Sequence, residues 1–206
     1  MDNSNFILYN MIGRDENILW SGKPNFKCFI LEAIFNPLLF VAIIWGLIDF
    51  AFIGAAFSTN THEIAKEMHN SHFFTFMIGF FSLHLMPVWI YLFGAVSSFL
   101  RYKHTEYVIT DKGVYCSDGV FSQTFEHKPF AELSHVNINR GIIDQMIGVG
   151  DVILTSTQVI VGRHSNTFGT ISICDIPDYN EVYKLAKELQ EKIYSDTMYP
   201  NEYRPK

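Results

Sequence analysis

The sequence lacks the short motifs that mark common catalytic and cofactor sites. It contains no G-x-S-x-G nucleophile elbow, no phosphate-binding P-loop and no H-E-x-x-H metal motif. Its three cysteines form no C-x-x-C pair, and Cys116 and Cys174 lie far apart, so reduced thiols are expected rather than a disulfide or metal site. We therefore predict a non-enzymatic protein with no catalytic residue, no metal and no cofactor.

Charged residues are also scarce, because they make up 17% of the chain against about 25% in soluble proteins. Two apolar runs, residues 28–57 and 73–100, account for much of this scarcity, and the second contains no Asp, Glu, Lys or Arg. As a helix, residues 33–57 would reach about 37 Å, which is enough to cross a hydrocarbon core of roughly 30 Å. A chain of this length leaves too little protein to bury two such helices, so we predict two transmembrane helices.

Basic residues flank the two runs on their outer ends, and the connecting loop 58–72 contains a single one. The flanking residues are Arg14, Lys23, Lys27, Arg101 and Lys103, and the loop residue is Lys66. Because short cytoplasmic loops are enriched in lysine and arginine, both termini are expected in the cytoplasm and the loop outside. Residues 1–27 have no apolar core of their own, so no cleavable signal peptide is expected.

Polar and small residues inside the runs predict how the two helices meet. At helical spacing they line one face of each run: Ala42, Gly46 and Asp49 on the first, and His84, Pro87, Tyr91, Gly94 and Ser98 on the second. Such faces pack against a partner rather than lipid, which predicts an antiparallel hairpin. Asp49 and His84 form a candidate intramembrane polar pair, and ion or proton translocation by an oligomer is the less favoured alternative.

The outer loop also groups histidine with glutamate. The residues are His62, Glu63, Glu67, His69 and His72. A divalent metal is one hypothesis for such a group, but the spacing matches no recognised ligand pattern, and a solvated polar loop is favoured.

Short alternating runs separated by turn residues occupy the second half of the chain. Strands are predicted over residues 104–110, 114–117, 120–126, 133–139, 151–157, 158–162 and 169–174. The D-K-G at 111–113 and the D-G at 118–119 are hairpin signals, and the glycine-bounded stretch 141–150 predicts a turn and a short helix. An amphipathic helix follows Pro177, with the apolar stripe Val182, Leu185, Leu189 and Ile193. The predicted fold class is α+β.

Four segments, taken together, resemble membrane-anchored bacterial pleckstrin-homology (PH-like) domain proteins. They are WSGKP at 20–24, EYVITDKGVY at 106–115, INRGIIDQMIGVGDVILTST at 138–157 and IPDYNEVYKLAKEL at 176–189. The resemblance implies a two-helix transmembrane hairpin followed by a PH-like split β-barrel of about seven strands, capped by a C-terminal amphipathic helix. It also implies the inner membrane of a bacterial cell and supplies no catalytic residues.

The expected organisation follows from these boundaries. It consists of a cytosolic N-terminal segment (1–27), a transmembrane hairpin (28–100, with spans 28–57 and 73–100 and outer loop 58–72), a cytosolic PH-like domain (101–195) and a flexible tail (196–206). The WSGKP residues Trp20, Gly22, Lys23 and Pro24 form a candidate interfacial motif, because tryptophan beside lysine suits the headgroup region.

Charge separates the binding hypotheses for the second half. Residues 101–206 contain 11 Lys and Arg against 14 Asp and Glu, a net charge of −3 that disfavours anionic headgroups. Lys103, Lys112 and Arg140 are the candidate lipid-facing basic residues for a lipid-sensing alternative.

The favoured hypothesis is protein–protein assembly or envelope-associated scaffolding. The expected partners are membrane lipids, an unknown membrane or cytosolic protein, and a second copy of the chain, with no nucleic acid. The apolar residues of 141–150 are expected to pack internally rather than meet a partner.

Overall fold

The computed structural model describes residues 3–59, 71–161 and 166–198, and the chain divides into two compact units. Met1–Leu31 and Ser98–Lys206 together form the strand unit, and Glu32–Ser97 forms the helical unit. The strand unit is therefore built from two stretches of chain that flank an inserted helical segment. The loop residues His62, Glu63, Glu67 and His69 and the side chain of His72 lie outside the described residues.

Four antiparallel strands form the first sheet in the order β1-β2-β3-β4. Their bounds are Ile18–Gly22, Glu106–Thr110, Gly113–Gly119 and Gln123–Pro129. The sequence placed no strand before the first apolar run, but β1 pairs with β2 from Ile18 opposite Thr110 to Gly22 opposite Tyr107. The turn of the β3–β4 hairpin begins at Gly119, which has a φ of +139°. Glycine adopts this conformation readily because it has no Cβ.

Three antiparallel strands form the second sheet, β5-β6-β7, with bounds Leu133–Asn139, Gly150–Val161 and Asn166–Ile176. The stretches predicted as two strands, 151–157 and 158–162, belong to one long strand as far as Val161. No Gly, Pro, Asn or Asp lies between Thr155 and Val161, so the chain makes no turn here. Instead, the pairing of β6 with β7 shifts register between Thr155 and Val159. The described residues thus contain seven strands in two sheets, which do not close into one barrel.

The C-terminal helix α7 (Tyr179–Met198) covers the core between the sheets. Its predicted stripe contacts this core: Val182 is buried, and Leu185, Leu189 and Ile193 pack against it. The helix continues through Met198, into the segment predicted as a flexible tail, and residues 199–206 lie outside the described part.

A short N-terminal helix, α1 (Asn3–Met11), covers the other face of the first sheet. Leu8 is fully buried against Val108 and Tyr115, with Ile12 beside them. This second layer explains why every residue of β2 is buried. The sequence did not predict α1, because two apolar contacts leave too weak a periodicity to recognise.

The first predicted span is divided into two helices, α2 (Phe26–Ile34) and α3 (Pro37–Thr59). Asn36 makes the break, since its Oδ1 accepts from the amide of Leu38 at 2.8 Å and its Nδ2 donates to the carbonyl of Ala33 at 2.7 Å. Pro37 then starts α3 at the position where its missing N–H costs nothing. Among the described helices, α3 alone is by itself long and apolar enough to cross a membrane, over Pro37–Ala55.

The second predicted span is a bent pair of helices, α4 (Ser71–His84) and α5 (Met86–His104). Thr75–His84 and Met86–His104 meet at 58°, where Pro87 removes one amide donor from the helical ladder. Within the described residues there is one membrane-length helix, or two if the bent pair is one broken span. The two-span hairpin therefore stays a prediction.

Candidate functional site

The WSGKP segment begins as part of the first sheet. Trp20 lies in β1, packs against the core and donates from Nε1 to Oδ2 of Asp178 at 2.6 Å. Its ring covers position 22, where an added Cβ would lie 2.5 Å from Cζ2 of Trp20, so Gly22 is required for this arrangement. Lys23 is exposed and Pro24 is buried. Both Trp20 and Gly22 have roles within the strand unit, and the interfacial role stays a prediction.

Asn25 turns the chain from β1 into α2. Its backbone amide donates to the carbonyl of Asp175 at 2.8 Å. Its side-chain Oδ1 accepts from the amides of Lys27 at 3.0 Å and Cys28 at 3.3 Å, which caps the start of the helix. The N-terminal stretch is thereby fixed against the end of β7, and Cys28 points into the strand unit.

Cys28 meets two carboxylates in a buried cluster. Its thiol donates to Oδ1 of Asp144 at 3.1 Å, and one oxygen each from Asp144 and Asp175 lies within 4.8 Å of its sulfur and of each other. Asp144 belongs to the short helix α6 (Ile142–Ile147), where its Oδ2 also accepts from the amide of Gly141 at 2.7 Å. All three cluster residues are buried.

Burial dominates the electrostatics of this cluster. It raises the pKa of the Cys28 thiol well above its usual range, and the hydrogen bonds and charges of Asp144 and Asp175 raise it further. Burial also raises the pKa of Asp175 to about 6; the Cys28 contact lowers it, whereas the neighbouring carboxylates of Asp151 and Asp144 raise it. The cluster therefore favours a neutral thiol, and the Asp175 carboxyl gains a proton as the pH falls through about 6.

The glycine-bounded stretch 141–150 is held from both sides. Arg140 donates from Nε to the carbonyl of Val149 at 2.8 Å, and its guanidinium lies 4.9 Å from the ring centroid of Tyr179. Gly148 ends α6 with φ +86° and donates its amide to the carbonyl of Asp144 at 2.8 Å.

Two apolar side chains of α6 face outward from this anchored turn. Ile142 is 81% exposed and Met146 is 83% exposed, and the i, i+4 spacing places both on one helical face. Internal packing was the expectation for this stretch, and for these two residues it is wrong, because the buried Asp144 occupies the inward face of the helix. Ile143 and Ile147 are half-buried.

The three basic residues of the lipid hypothesis lie apart. Lys103 and Lys112 are exposed beyond opposite ends of the five-residue strand β2, which spans roughly 16 Å. Arg140 is half-buried and makes the contacts described above. Their role toward lipid stays a prediction.

The helical unit brings Asp49 and His84 together. Nδ1 of His84 lies 2.7 Å from Oδ1 of Asp49, and the carbonyl of His84 accepts from Nε1 of Trp45 at 2.7 Å. Asp49 is buried, and its Oδ2 has no hydrogen-bond partner among the described residues. This contact gives one oxygen of the buried Asp49 carboxyl group a hydrogen-bond partner on the neighbouring helix.

Sequence reasoning missed Cys28, Asp144 and Asp175 as a group. The first two are 116 residues apart, and no local spacing signals their meeting. The glycines around Asp144 and the Asn25 cap were the visible signals, but they predict turns and helix starts rather than a shared site.

Comparison with known proteins agrees with the sheet architecture. The model of a family described as Bacterial PH domain matches residues 26–190, which include the helical segment, the last six strands and most of α7. No curated protein and no solved structure matches the chain. The family match extends over well more than half of the sequence. This chain belongs to the bacterial PH domain family.

Proposed function

We propose that this chain is a non-enzymatic inner-membrane protein whose cytosolic PH-like domain binds a protein partner and takes part in assembly at the membrane. The single observation that carries the proposal is the pair Ile142 and Met146, exposed on a helix that its own hydrogen bonds hold rigid. Two large apolar side chains side by side at such exposure form an apolar patch that favours a partner surface, whereas a single exposed apolar residue does not.

Rigidity of the turn strengthens the proposal. The Asp144 cap and the Arg140 contact with Val149 hold α6 in place before any partner arrives. A preorganised apolar pair loses little conformational entropy on binding, which favours its use as an anchor.

Charge favours a protein over a lipid headgroup. The domain sequence 101–206 carries a net charge of −3, and Arg140 already makes internal contacts. Lys103 and Lys112 are separated by the length of β2, so a single phosphate cannot meet both.

Connectivity supports anchoring by two crossings. β1 precedes the helical unit and β2 follows it, yet the two strands pair in one sheet. The chain must therefore leave and return on the same side of a bilayer, which favours α3 as one crossing and the bent pair α4–α5 as the other.

The test is cross-linking of the full-length protein in cells, followed by purification in mild detergent and mass spectrometry of the intact complexes. We expect the double substitution Ile142→Ser and Met146→Ser to reduce recovery of a stoichiometric partner, or of the homo-oligomer, at least tenfold. Phe121→Ser is the matched control, since Phe121 is 82% exposed in the turn between β3 and β4 and should leave recovery unchanged.

Unchanged complexes in the double variant would contradict the proposal. Lipid sensing would take its place if the protein copurified with one anionic lipid and Lys103→Glu with Lys112→Glu abolished that association.

A further inference from the structure

Three metal-ligand side chains meet inside the strand unit, away from solvent. Sγ of Cys28 and one carboxylate oxygen from each of Asp144 and Asp175 lie within 4.8 Å of one another. Their exposed fractions are 0%, 1% and 2%. They come from the start of α2, from α6 and from the end of β7, so only the folded domain brings them together.

The cluster leaves one acceptor unused. Asp144 accepts from the thiol of Cys28 and from the amide of Gly141. Oδ1 of Asp175, in contrast, has no hydrogen-bond partner within the part of the chain that the structure describes. A buried carboxylate oxygen without a partner is costly, and a bound cation is one arrangement that satisfies it.

The backbone also holds Asp175 in a demanding position. Its φ is +58°, a left-handed conformation that residues other than glycine adopt infrequently. The amide of Asp175 donates to Oδ1 of Asp151 at 2.9 Å, and its carbonyl accepts from the amide of Asn25 at 2.8 Å. These contacts orient its carboxylate toward Cys28 and Asp144 before any ligand binds.

We propose that Cys28, Asp144 and Asp175 bind one divalent cation of the borderline-soft class, with Zn²⁺ as the preferred ion. A sulfur ligand selects Zn²⁺ over Mg²⁺ and Ca²⁺, which require oxygen ligands in larger number. On binding, the thiol releases its proton to solvent, so that one thiolate and two carboxylates carry three negative charges against two positive charges.

Such a site would tie three separate stretches of the strand unit together. The ion would link the start of α2 to α6 and to β7, in addition to the hydrogen bonds already there. The proposal does not depend on partner binding by Ile142 and Met146.

The test uses the untagged full-length protein, treated with chelator, desalted and titrated with Co²⁺ alone. We expect saturable binding of one Co²⁺ per chain with a thiolate-to-cobalt absorption band, displaced by Zn²⁺ but not by an equal concentration of Mg²⁺. Asp175→Asn keeps the side-chain size and tolerates the left-handed backbone, and it should lower the Co²⁺ affinity at least tenfold. Cys28→Ser should abolish the thiolate band.

Cys116→Ala is the matched control, because Cys116 is a buried thiol of the hydrophobic core and should leave the titration unchanged. A folded wild-type protein that shows no saturable Co²⁺ binding would overturn the site. An Asp175→Asn protein that titrates like wild type would also overturn it, because the Asp175 carboxylate would then contribute nothing to Co²⁺ binding.

Discussion

At the scale of single residues, several buried polar groups have partners that lie far away in sequence. Glu106 in β2 is an example: it accepts from the hydroxyl of Tyr9 at 3.4 Å, while its Oε2 has no partner among the described residues. Burial raises the pKa of Glu106, and the charge of Lys23 and the Tyr9 hydrogen bond offset part of that effect. The folded protein therefore holds a proton on this carboxyl more tightly than the unfolded chain does.

This difference predicts a pH-dependent effect of Glu106→Gln. Because the folded-state pKa is raised, wild-type stability falls as the pH rises through that pKa, whereas the amide cannot ionise. We expect the variant to be more stable by about 1 kcal/mol at pH 8 and equal to wild type at pH 4, where both groups are neutral. Chemical denaturation across this pH range measures the difference.

Asp118 is the control, because its effect on stability should depend on pH in the opposite direction. Burial, the largest single influence, would raise its pKa, but the hydrogen bond and charge of Arg101, together with hydrogen bonds from the Gly119 amide and the Thr105 hydroxyl, outweigh burial and lower it. Asp118→Asn should therefore destabilise the protein at pH 8, and its effect should fade as the pH drops below the usual aspartate range. Parallel pH profiles for the two variants would contradict these assignments.

At the scale of elements, β1 is the strand that the sequence did not predict. Its residues alternate weakly and precede the first apolar run by only a few positions, so the WSGKP motif was assigned to the membrane surface instead. The β2–β3–β4 hairpins and the helix α7 were predictable, because their turn residues and apolar stripe are local signals. Paired residues of β1 and β2 lie 85 or more positions apart in sequence, so no local pattern indicates the pairing.

Gly22→Ala tests the packing of β1. The added methyl group would lie 2.5 Å from the Trp20 ring, which its hydrogen bond to Asp178 and its core contacts hold in place. We expect a loss of about 1–3 kcal/mol in the free energy of unfolding. Ser21→Ala is the neighbouring control, because Ser21 is exposed and should change stability by less than about 0.5 kcal/mol. Equal stabilities of the two variants would refute this packing.

In the helical unit, substitutions at Asp49 and His84 test the packing of α3 against α4. His84→Ala leaves the buried carboxyl group of Asp49 without this hydrogen-bond partner, and we expect a loss of about 1–3 kcal/mol in the free energy of unfolding. The double variant Asp49→Ala with His84→Ala should lose less than the sum of the two single changes, because it leaves neither polar group buried without its partner. Thermal unfolding in detergent provides the three values, and strict additivity would argue against a coupled pair.

At the scale of the whole molecule, the domain is interrupted rather than appended. The sequence predicted an N-terminal segment, a hairpin and then a domain, since composition changes at those points. The structure instead joins Met1–Leu31 to Ser98–Lys206 in one unit, through β1, α1 and the Cys28 cluster. Such long-range assembly depends on pairing across the helical unit, which composition does not encode.

The most direct measurement for this interrupted arrangement is cysteine labelling in intact bacterial cells with a membrane-impermeant maleimide. In a chain that keeps the buried Cys28 and Cys116 and carries Cys174→Ala, single cysteines are introduced at Asp15 before β1, at Glu126 in β4 and at Thr61 in the loop between the predicted spans. We expect Asp15→Cys and Glu126→Cys to react only after permeabilisation, because β1 pairs with β2 in one sheet and the proposed topology puts that sheet in the cytosol. Thr61→Cys should react in intact cells; labelling of Asp15→Cys and Glu126→Cys from opposite sides would contradict the account.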